Sequence, residues 1–278
     1  MTPTQLCLIG HPVAHSLSPV FQQAALDAAG FAVRYTARDT EPHALADTLR
    51  ALANDRAAGN VTIPHKEAVA AACARLTPVA QQVGAVNTFW HDERGALVGH
   101  NTDVAGARAA MQAVLAPSVR INAPLRVALL GAGGSAASVI VALMQFTNAT
   151  LRITARSSAR AELLVQRLGA HAVVVADVPS AVHQADLVIN ATPIGLRDDE
   201  MPVPPDALSP QTCVLDLVYK RGETAWVRAC RERGLRAEDG LRMLVEQGAA
   251  AFESWFGVPP DRDAMWRVLE PRHASARP

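Results

Sequence analysis

Short apolar runs alternate with helix-like segments along the first hundred residues. The runs end at Gly, Pro or polar residues, as strands commonly do. Ser18-Pro19 is typical of a helix start, with the serine as the cap and the proline in the first helical position. The pattern predicts strands over residues 6–10, 33–37 and 58–63, and helices over residues 18–30, 42–52 and 64–76.

The pattern changes in the segments that follow. Two apolar segments, residues 84–90 and 96–99, flank the polar residues 92–95 and predict a hairpin. Residues 104–115 have the spacing of a helix, and residues 116–124 contain two prolines and several polar residues. We therefore expect a domain boundary in this region, with the 104–115 helix as the connection.

The second half of the chain contains apolar strands separated by helical segments or loops. A strand that is apolar along its whole length is buried on both faces, which is typical of a parallel sheet covered by helices. The predicted strands cover residues 125–130, 151–155, 172–176, 186–190 and 213–217. The chain is therefore predicted to be an α/β protein with a doubly wound sheet in its second half.

A glycine-rich turn directly follows the 125–130 strand and opens a predicted apolar helix. In this position glycines permit a tight turn and let the backbone approach a pyrophosphate, and a small residue lets the helix pack on the strand. Backbone N–H groups at the helix start then face the phosphates. The turn therefore predicts a dinucleotide site formed by Gly131, Ala132, Gly133, Gly134, Ser135 and Ala136.

The next strand indicates which dinucleotide is bound. A free ribose 2′-hydroxyl usually meets an Asp or Glu about 20 residues beyond the glycines, whereas a 2′-phosphate needs arginine. Here the strand is followed by Arg156, Ser157 and Arg160, with no acidic residue among them. The two arginines, one helical turn apart, can hold a phosphate between them. The arginines therefore favour NADP(H) as the cofactor. The alternative is that they are ordinary surface residues exposed to solvent.

Two charged residues of the first half are candidates for catalysis. Lys66 falls in the first turn of the predicted 64–76 helix, where the helix dipole disfavours a cation. A lysine held there needs a partner, and it would suit proton transfer. Asp103 is the candidate partner, and it can also be an ordinary cap of the 104–115 helix.

Uncharged polar residues add to these candidates. Ser16 and Ser18 are two apart on an extended segment and would project the same way, toward a polyhydroxylated or carboxylate ligand. For Ser18 alone, capping the helix is the simpler role. Asn87 interrupts an apolar strand, and Gln247 lies on an apolar helix face. Such amides must be hydrogen-bonded, either within the core or to a ligand.

Composition narrows the class of protein. The 278 residues are enough for two domains, and 50% of them are apolar, which rules out extended disorder. Lys plus Arg and Asp plus Glu each count 26, so the net charge is +0 and nothing indicates a nucleic acid or membrane partner. The four cysteines are widely spaced without metal-ligand spacing. They favour reduced thiols, no metal site and a cytoplasmic protein.

Eight motifs, taken together, resemble those of the shikimate dehydrogenase family. They occur in that family's order and span about residues 6–256. They are S-L-S-P at 16–19, N-V-T-I-P-H-K at 60–66, G-A-V-N-T at 84–88, N-T-D at 101–103, the glycine turn, N-A-T-P-I-G at 190–195, D-L-V-Y at 216–219 and the segment 240–247.

The resemblance implies reversible, NADPH-dependent reduction of 3-dehydroshikimate to shikimate, a step toward chorismate and the aromatic amino acids. It implies Lys66 and Asp103 as the catalytic pair. The implied substrate contacts are Ser16, Ser18, Thr62, Lys66, Asn87, Asp103, Tyr219 and Gln247. The implied cofactor contacts are the glycine turn, Arg156, Ser157, Arg160, Thr192, Leu217 and Gly240.

The resemblance also implies a discontinuous substrate domain. Residues 1–103 with 241–278 would bind the substrate, and residues 104–240 would form a Rossmann-type NADP-binding domain, with a cleft between the two. The protein would act on small molecules as a monomer or homodimer.

One residue departs from the family's pattern. The cofactor motif commonly reads Asn-Arg-Ser/Thr, and Ala155 replaces the asparagine, which leaves open how strongly NAD is excluded. Quinate/shikimate dehydrogenases and relatives acting on an amino analogue differ in few pocket residues, so the preferred substrate also stays open. A catalytically silent sensor of the NADP pool is the alternative from another class, but it has no use for Lys66, Asp103 and the serines together.

Overall fold

The computed structural model describes residues 3–115, 124–146, 148–197, 199–220 and 222–269. They fall into two compact units, one made of residues 3–103 and 244–269 and the other of the described residues from 104 to 243. The first unit is thus assembled from two separate parts of the chain. Most of the segment in which we expect the domain boundary, residues 116–123, lies outside the described residues.

Strands and helices alternate in the first part of the chain. The strands are β1 (Leu6–Gly10), β2 (Tyr35–Asp39), β3 (Ala58–Val61), β4 (Arg75–Leu76), β5 (Thr88–His91) and β6 (Leu97–His100). The helices are α1 (Ser18–Ala28), α2 (Leu45–Asn54), which follows a 3₁₀ turn at Pro42–Ala44, α3 (Lys66–Ala72) and α4 (Pro78–Val83).

The first sheet is mixed and has the strand order β2-β1-β3-β5-β6-β4. β1 runs parallel to β2 and β3, whereas β5 is antiparallel to β3 and β6. The predicted hairpin is therefore present as β5 and β6. The Asp92 side chain holds its turn, accepting hydrogen bonds from the backbone N–H groups of Arg94 at 3.0 Å and Ala96 at 2.9 Å.

The start of α1 differs from the prediction. Leu17, not Ser18, occupies the cap position, and no side chain caps the helix there. The Leu17 carbonyl accepts hydrogen bonds from the N–H groups of Val20 and Phe21, so the first turn closes one residue earlier than predicted. Ser18 therefore lies inside the helix, and the prediction that it caps α1 is wrong.

Two further elements are shifted by pairing in the sheet. The strand predicted over residues 33–37 lies at Tyr35–Asp39, because these residues pair in register with Leu6–Gly10. The helix predicted over residues 64–76 ends at Ala72, and Arg75–Leu76 instead pairs with β6 as a short strand. In both cases long-range backbone hydrogen bonds outweigh the local pattern.

The second unit contains six strands and the helices around them. The strands are β7 (Leu125–Leu130), β8 (Ala149–Thr154), β9 (Ala172–Val174), β10 (Leu187–Asn190), β11 (Cys213–Asp216) and β12 (Arg236–Glu238). The helices are α5 (Asp103–Leu115), α6 (Gly134–Leu143), α7 (Ser158–Leu168), α8 (Val178–Val182) and α9 (Ala225–Glu232), and a 3₁₀ turn lies at Pro205–Ala207. The chain then continues through α10 (Leu241–Phe256) and α11 (Arg262–Arg267).

The second sheet has the strand order β12-β11-β10-β7-β8-β9, and its strand pairs are parallel. From β7 the chain builds outward through β8 and β9, then returns to β10 and builds outward on the other side. This is the Rossmann order, with its switch point between β7 and β10. In such sheets a dinucleotide binds at the carboxyl ends of the strands beside the switch point.

Helix α10 completes the core of the first unit. The Trp255 indole N–H donates to the Phe89 carbonyl at 3.2 Å, and the Gln22 amide donates to the Gly248 carbonyl at 2.9 Å. A Cβ at Gly248 would lie 2.3 Å from the Phe21 ring, so α1 and α10 pack as closely as glycine permits. The C-terminal segment is therefore part of this core.

All four cysteines are free thiols. Burial raises the pKa of Cys7 and of Cys230 to about 12, so neither carries a reactive thiolate near neutral pH. Among the residues that the structure describes, no helix has the length and apolar character needed to cross a membrane.

Candidate active site and dinucleotide site

Lys66 and Asp103 form an ion pair in the first unit. Lys66 is the first residue of α3 and Asp103 the first residue of α5, so each side chain leaves the chain just beyond a strand of the mixed sheet. Lys66 Nζ lies 2.6 Å from Asp103 Oδ2, and the two side chains are 20% and 9% exposed. The pair is thus nearly buried, which makes the interaction stronger than that of a surface ion pair.

Asn87 orients the second oxygen of Asp103. The N–H of Thr102 can only donate, and it does so to Asn87 Oδ1 at 2.7 Å. This fixes which end of the amide carries the oxygen, so Asn87 Nδ2 faces Asp103 Oδ1, at 2.8 Å. Both carboxylate oxygens of Asp103 therefore accept hydrogen bonds, one from Lys66 and one from Asn87.

Gln247 of α10 joins this network from the C-terminal segment. Its Oε1 accepts from Asn87 Nδ2 at 3.1 Å, and its Nε2 donates to the Leu244 carbonyl at 2.8 Å. The structure therefore brings together four of the residues predicted from the sequence, namely Lys66, Asn87, Asp103 and Gln247.

The two serines lie at the start of α1. Ser16 Oγ accepts a hydrogen bond from the backbone N–H of Ser18 at 3.2 Å. Ser16 is half-buried and Ser18 is buried. Thr62 follows β3, and its backbone bonds to Ile9 and His65. Within the described residues, no hydrogen bond of its hydroxyl links Thr62 to the network around Asp103.

Three polar residues that support this network were not among the site residues predicted from the sequence. Thr88 and Thr102 are fully buried, and each hydroxyl donates to Asn87 Oδ1, at 3.1 and 3.2 Å. Asn60 is 4% exposed and donates to the Thr88 hydroxyl at 3.0 Å. Asn60 and Thr88 are also paired in register between β3 and β5. Asn60 lies inside the otherwise apolar strand β3, and this was the signal that could have identified it.

In the second unit, the glycine turn leaves open space beside the start of α6. Gly131 has φ +109°, and a Cβ there would lie 2.8 Å from the Ala191 carbonyl oxygen, so only glycine fits. A Cβ at Gly133 or Gly134 would meet nothing within 4 Å. The start of α6 therefore presents backbone N–H groups to an open space, and the fully buried Ala136 packs the helix against the sheet.

The predicted 2′-phosphate site lies between β8 and α7. Ser157 caps α7, and its hydroxyl accepts from the Arg160 backbone N–H at 3.3 Å. Arg156 and Arg160 are exposed. Among the described residues, no acidic side chain pairs with either guanidinium, so both remain available to an anion.

The remaining predicted cofactor residues follow β10, β11 and β12. Thr192 donates its hydroxyl to Asn190 Oδ1 at 2.6 Å, and Leu217 donates its N–H to the Asn190 carbonyl at 2.9 Å. A Cβ at Gly240 would lie 2.2 Å from the Leu217 carbonyl oxygen, so this contact requires glycine. These residues lie in the loops at the carboxyl edge of the sheet. Tyr219 is in the same unit, and burial raises the pKa of its phenol, which keeps it protonated.

The described residues contain no group of three or more His, Cys, Asp or Glu side chains that could hold a metal ion. A nearly buried Lys–Asp pair in one unit and a Rossmann sheet with an open glycine turn in the other define a dinucleotide-dependent dehydrogenase.

Comparison with known proteins gives the family. The chain matches family profiles described as "Shikimate dehydrogenase substrate binding domain" over residues 8–89, "Shikimate / quinate 5-dehydrogenase" over residues 119–195 and "Shikimate 5'-dehydrogenase C-terminal domain" over residues 240–270. It is 42% identical over 274 residues to the shikimate dehydrogenase (NADP(+)) of Rubrobacter xylanophilus, a match that covers 94% of each chain. The chain belongs to the shikimate dehydrogenase family.

Solved structures agree with this assignment. The shikimate 5-dehydrogenase of Thermus thermophilus in complex with NADP(H) and shikimate is 35% identical, with a TM-score of 0.85 over 96% of this chain and 99% of that one. The quinate dehydrogenase of Corynebacterium glutamicum in complex with NAD is 30% identical, with a TM-score of 0.86 over 96% and 98%. The fold is therefore shared by relatives that differ in substrate and cofactor.

Proposed function

We propose that this chain catalyses the reversible, NADP-dependent interconversion of 3-dehydroshikimate and shikimate. The observation that carries the proposal is the Lys66–Asp103 pair at 2.6 Å, held by Asn87, in a chain 42% identical to an enzyme named for this reaction. We further propose that residues 1–103 with 241–278 bind the substrate and residues 104–240 bind the dinucleotide.

Lys66 acts as the proton donor to the ketone oxygen. Reduction of a ketone places negative charge on that oxygen, and a nearby ammonium group both stabilises the charge and supplies the proton. Lys66 then regains a proton from solvent, and in the reverse direction it accepts one from the alcohol. Asp103 holds the lysine in place, and its carboxylate can also accept a hydrogen bond from a substrate hydroxyl.

Further polar residues are proposed to bind the rest of the substrate. The hydroxyls of Ser16 and Ser18 suit a carboxylate, because each can donate a hydrogen bond to it. Asn87 and Gln247 present amide groups beside Asp103. The remaining proposed contacts are Thr62 and Tyr219.

NADPH, when bound, supplies the hydride. The glycine turn, from Gly131 to Ala136, would hold its pyrophosphate on the N–H groups of α6. Arg156, Ser157 and Arg160 would hold the 2′-phosphate, and Thr192, Leu217 and Gly240 would line the nicotinamide end. Within this unit the chain's task is to bind and orient.

Quinate oxidation with NAD is the second candidate, because the Corynebacterium glutamicum quinate dehydrogenase shares the fold at a TM-score of 0.86. The test is reduced-nicotinamide absorbance with four pairs: shikimate or quinate, each with NADP⁺ or NAD⁺. We expect the highest kcat/KM for shikimate with NADP⁺. A higher value for quinate with NAD⁺ would favour the second candidate, and NADP⁺ binding without turnover of any substrate, amino analogues included, would indicate a sensor.

Arg156→Ala is expected to raise the KM for NADP⁺ about 10- to 100-fold, because a hydrogen bond to a charged group contributes about 1.5–3 kcal/mol. The KM for NAD⁺, which lacks the 2′-phosphate, should stay within about twofold. Steady-state kinetics with both cofactors measures the difference.

Arg233→Ala is the matched control for this variant. Arg233 follows α9 and pairs with Asp206. It is near the start of β12, at the amino end of the sheet, so its loss should leave both KM values unchanged. Equal losses for NADP⁺ and NAD⁺ in Arg156→Ala would contradict the assignment of the 2′-phosphate.

We also propose that the protein works in the cytoplasm as a monomer or homodimer. Four free thiols, three of them buried, support a reducing compartment.

A further inference from the structure

Three fully buried polar side chains meet beneath the loops of the second unit. Asn190 ends β10, Asp216 ends β11 and Thr224 caps α9. They are 0%, 1% and 0% exposed. We call these three residues the Asp216 cluster. The mechanism proposed above gives none of them a role.

The orientation of Asn190 follows from its partners. Its Oδ1 accepts the backbone N–H of Thr192 at 3.0 Å and the Thr192 hydroxyl at 2.6 Å. Its Nδ2 therefore faces Asp216 Oδ1, at 2.8 Å, and also donates to the Ile194 carbonyl at 3.2 Å. The amide thus connects Asp216 to the loop that carries Thr192.

Asp216 accepts hydrogen bonds from three directions. Besides Asn190, Val218 donates its backbone N–H to Oδ1 at 3.1 Å, and the Thr224 hydroxyl donates to Oδ2 at 2.8 Å. The Thr224 oxygen in turn accepts from the Val227 N–H at 3.3 Å, which leaves its proton for Asp216. All three groups donate hydrogen bonds to Asp216, so together they favour its charged, deprotonated form. Burial acts in the opposite direction and raises the pKa of Asp216.

The cluster connects the loops after three neighbouring strands. Asn190 holds Thr192 after β10, and Asp216 holds Val218 after β11. The Val218 carbonyl accepts the N–H of Gly240, just beyond β12, at 3.1 Å, and Gly240 lies against the Leu217 carbonyl. Burying a carboxylate costs several kcal/mol unless its partners compensate. Asp216 therefore differs from an ordinary apolar core residue, because its side chain fixes the loops at the edge of the sheet that is proposed to bind the dinucleotide.

We propose that Asp216 is a positioning residue for the dinucleotide: through Asn190 and Val218 it holds Thr192 and Leu217 in the geometry that NADP(H) requires. The inference rests on the proposed function, which assigns Thr192 and Leu217 to the cofactor. Asp216 itself is 1% exposed, so it is proposed to act through these two residues and not by direct contact.

The test compares NADP⁺ binding in four variants by isothermal titration calorimetry, with the melting temperature measured for each. Asp216→Asn turns an acceptor oxygen into an amide N–H₂, which then faces a donor from Asn190, Val218 or Thr224. Thr224→Val removes the hydroxyl at nearly constant volume. We expect each to raise the Kd for NADP⁺ about tenfold, as expected when a hydrogen bond to a charged group is lost. Thr224→Ser restores the hydroxyl and should bind within about twofold of wild type.

Thr212→Val is the matched control. Thr212 is 2% exposed, precedes the same strand β11 at its opposite end and donates its hydroxyl to the Ala185 carbonyl at 2.8 Å. Its loss should also lower the melting temperature, though less than Thr224→Val, which in addition removes the cap of α9 and a hydrogen bond to a carboxylate, while leaving the Kd for NADP⁺ unchanged. A general loss of stability therefore gives a different result from a loss of positioning.

Wild-type affinity in Thr224→Val, or an equal loss in Thr212→Val, would overturn the inference. If Asp216→Asn fails to fold, the comparison of Thr224→Val with Thr224→Ser still tests the inference. If the wild-type protein binds NADP⁺ and the Asp216 and Thr224 variants bind it with the same Kd, only the positioning role is overturned. Failure of the wild type to bind NADP⁺ would overturn the proposed function as well.

Discussion

Lys66→Met is expected to lower kcat for shikimate oxidation about 10³-fold, within the range of about 10² to 10⁴ that a positioned proton donor or acceptor contributes. Methionine keeps most of the side-chain volume but can neither donate nor accept the proton. The change also leaves Asp103, whose side chain is 9% exposed, without its cation. Steady-state kinetics at saturating NADP⁺ measures kcat, and calorimetry measures the Kd for NADP⁺, which should stay at the wild-type value.

The second of the two lysines in the sequence supplies the control. Lys220 pairs with Asp199 at 2.9 Å, and Asp199 is 75% exposed. The Lys220 side chain is 27% exposed, so the pair is open to solvent on its Asp199 side. A solvent-exposed ion pair contributes about 0–1 kcal/mol, so Lys220→Met should keep kcat within about threefold of wild type. If Lys66→Met retained more than about a tenth of the wild-type kcat, Lys66 would not be the proton donor.

Asp103→Asn is expected to lower kcat/KM for shikimate about 10²- to 10³-fold. Truncating one partner of a buried, hydrogen-bonded charge pair costs about 2–5 kcal/mol. Asparagine keeps the shape of the side chain, but its N–H₂ must then face either Lys66 or Asn87, and both of these are donors. Because the shape of the side chain is kept, the variant should fold, but in either orientation Lys66 loses the charged carboxylate that holds it at 2.6 Å.

The double variant Lys66→Met/Asp103→Asn tests whether the two residues act together. Residues that act as a unit give strongly non-additive effects, so the double variant should lose little more activity than Lys66→Met alone. Losses that multiply would assign Asp103 an independent role. Asp263→Asn, at an exposed position in the first turn of α11, should leave kcat/KM unchanged.

The local pattern of apolar and polar residues was sufficient to predict most strands of the second sheet. Its strands are apolar and separated by helices, and the glycine turn occupies one fixed place between β7 and α6. Each predicted strand in this half lies within two residues of an observed one. β12 was not predicted, because its residues Arg236–Glu238 include two charged side chains and so have no apolar signal.

The first sheet was harder to predict because long-range pairing decides its elements. Residues 66–76 are rich in alanine, which favours a helix, yet Arg75–Leu76 pairs with Val98–Gly99. The Ala74 N–H donates to the Leu97 carbonyl at 2.9 Å, which already commits the chain to the sheet. Helix propensity differs by less than about 1 kcal/mol per residue between most amino acids, so such contacts outweigh it.

The candidate site was predictable in its chemistry but not in its support. Lys66 and Asp103 are charged residues at helix starts, and Asn87 and Gln247 are amides on apolar segments, so each stood out locally. Thr88 and Thr102 did not stand out, because a threonine suits a strand or a helix start equally well. Only the fold shows that both hydroxyls point to one amide oxygen.

The participation of α10 in the first unit has a consequence for synthesis on the ribosome. Domains usually fold as units in the order in which they are made. Here residues 104–243 are complete before Gln247, Gly248 and Trp255 leave the ribosome. Until then the amide of Gln22, the carbonyl of Phe89 and the amide of Asn87 lack the partners that α10 supplies. Of the two units, the one whose synthesis begins first is therefore the one that finishes folding last, and the surroundings of the Lys66–Asp103 pair are complete only after α10 has been made.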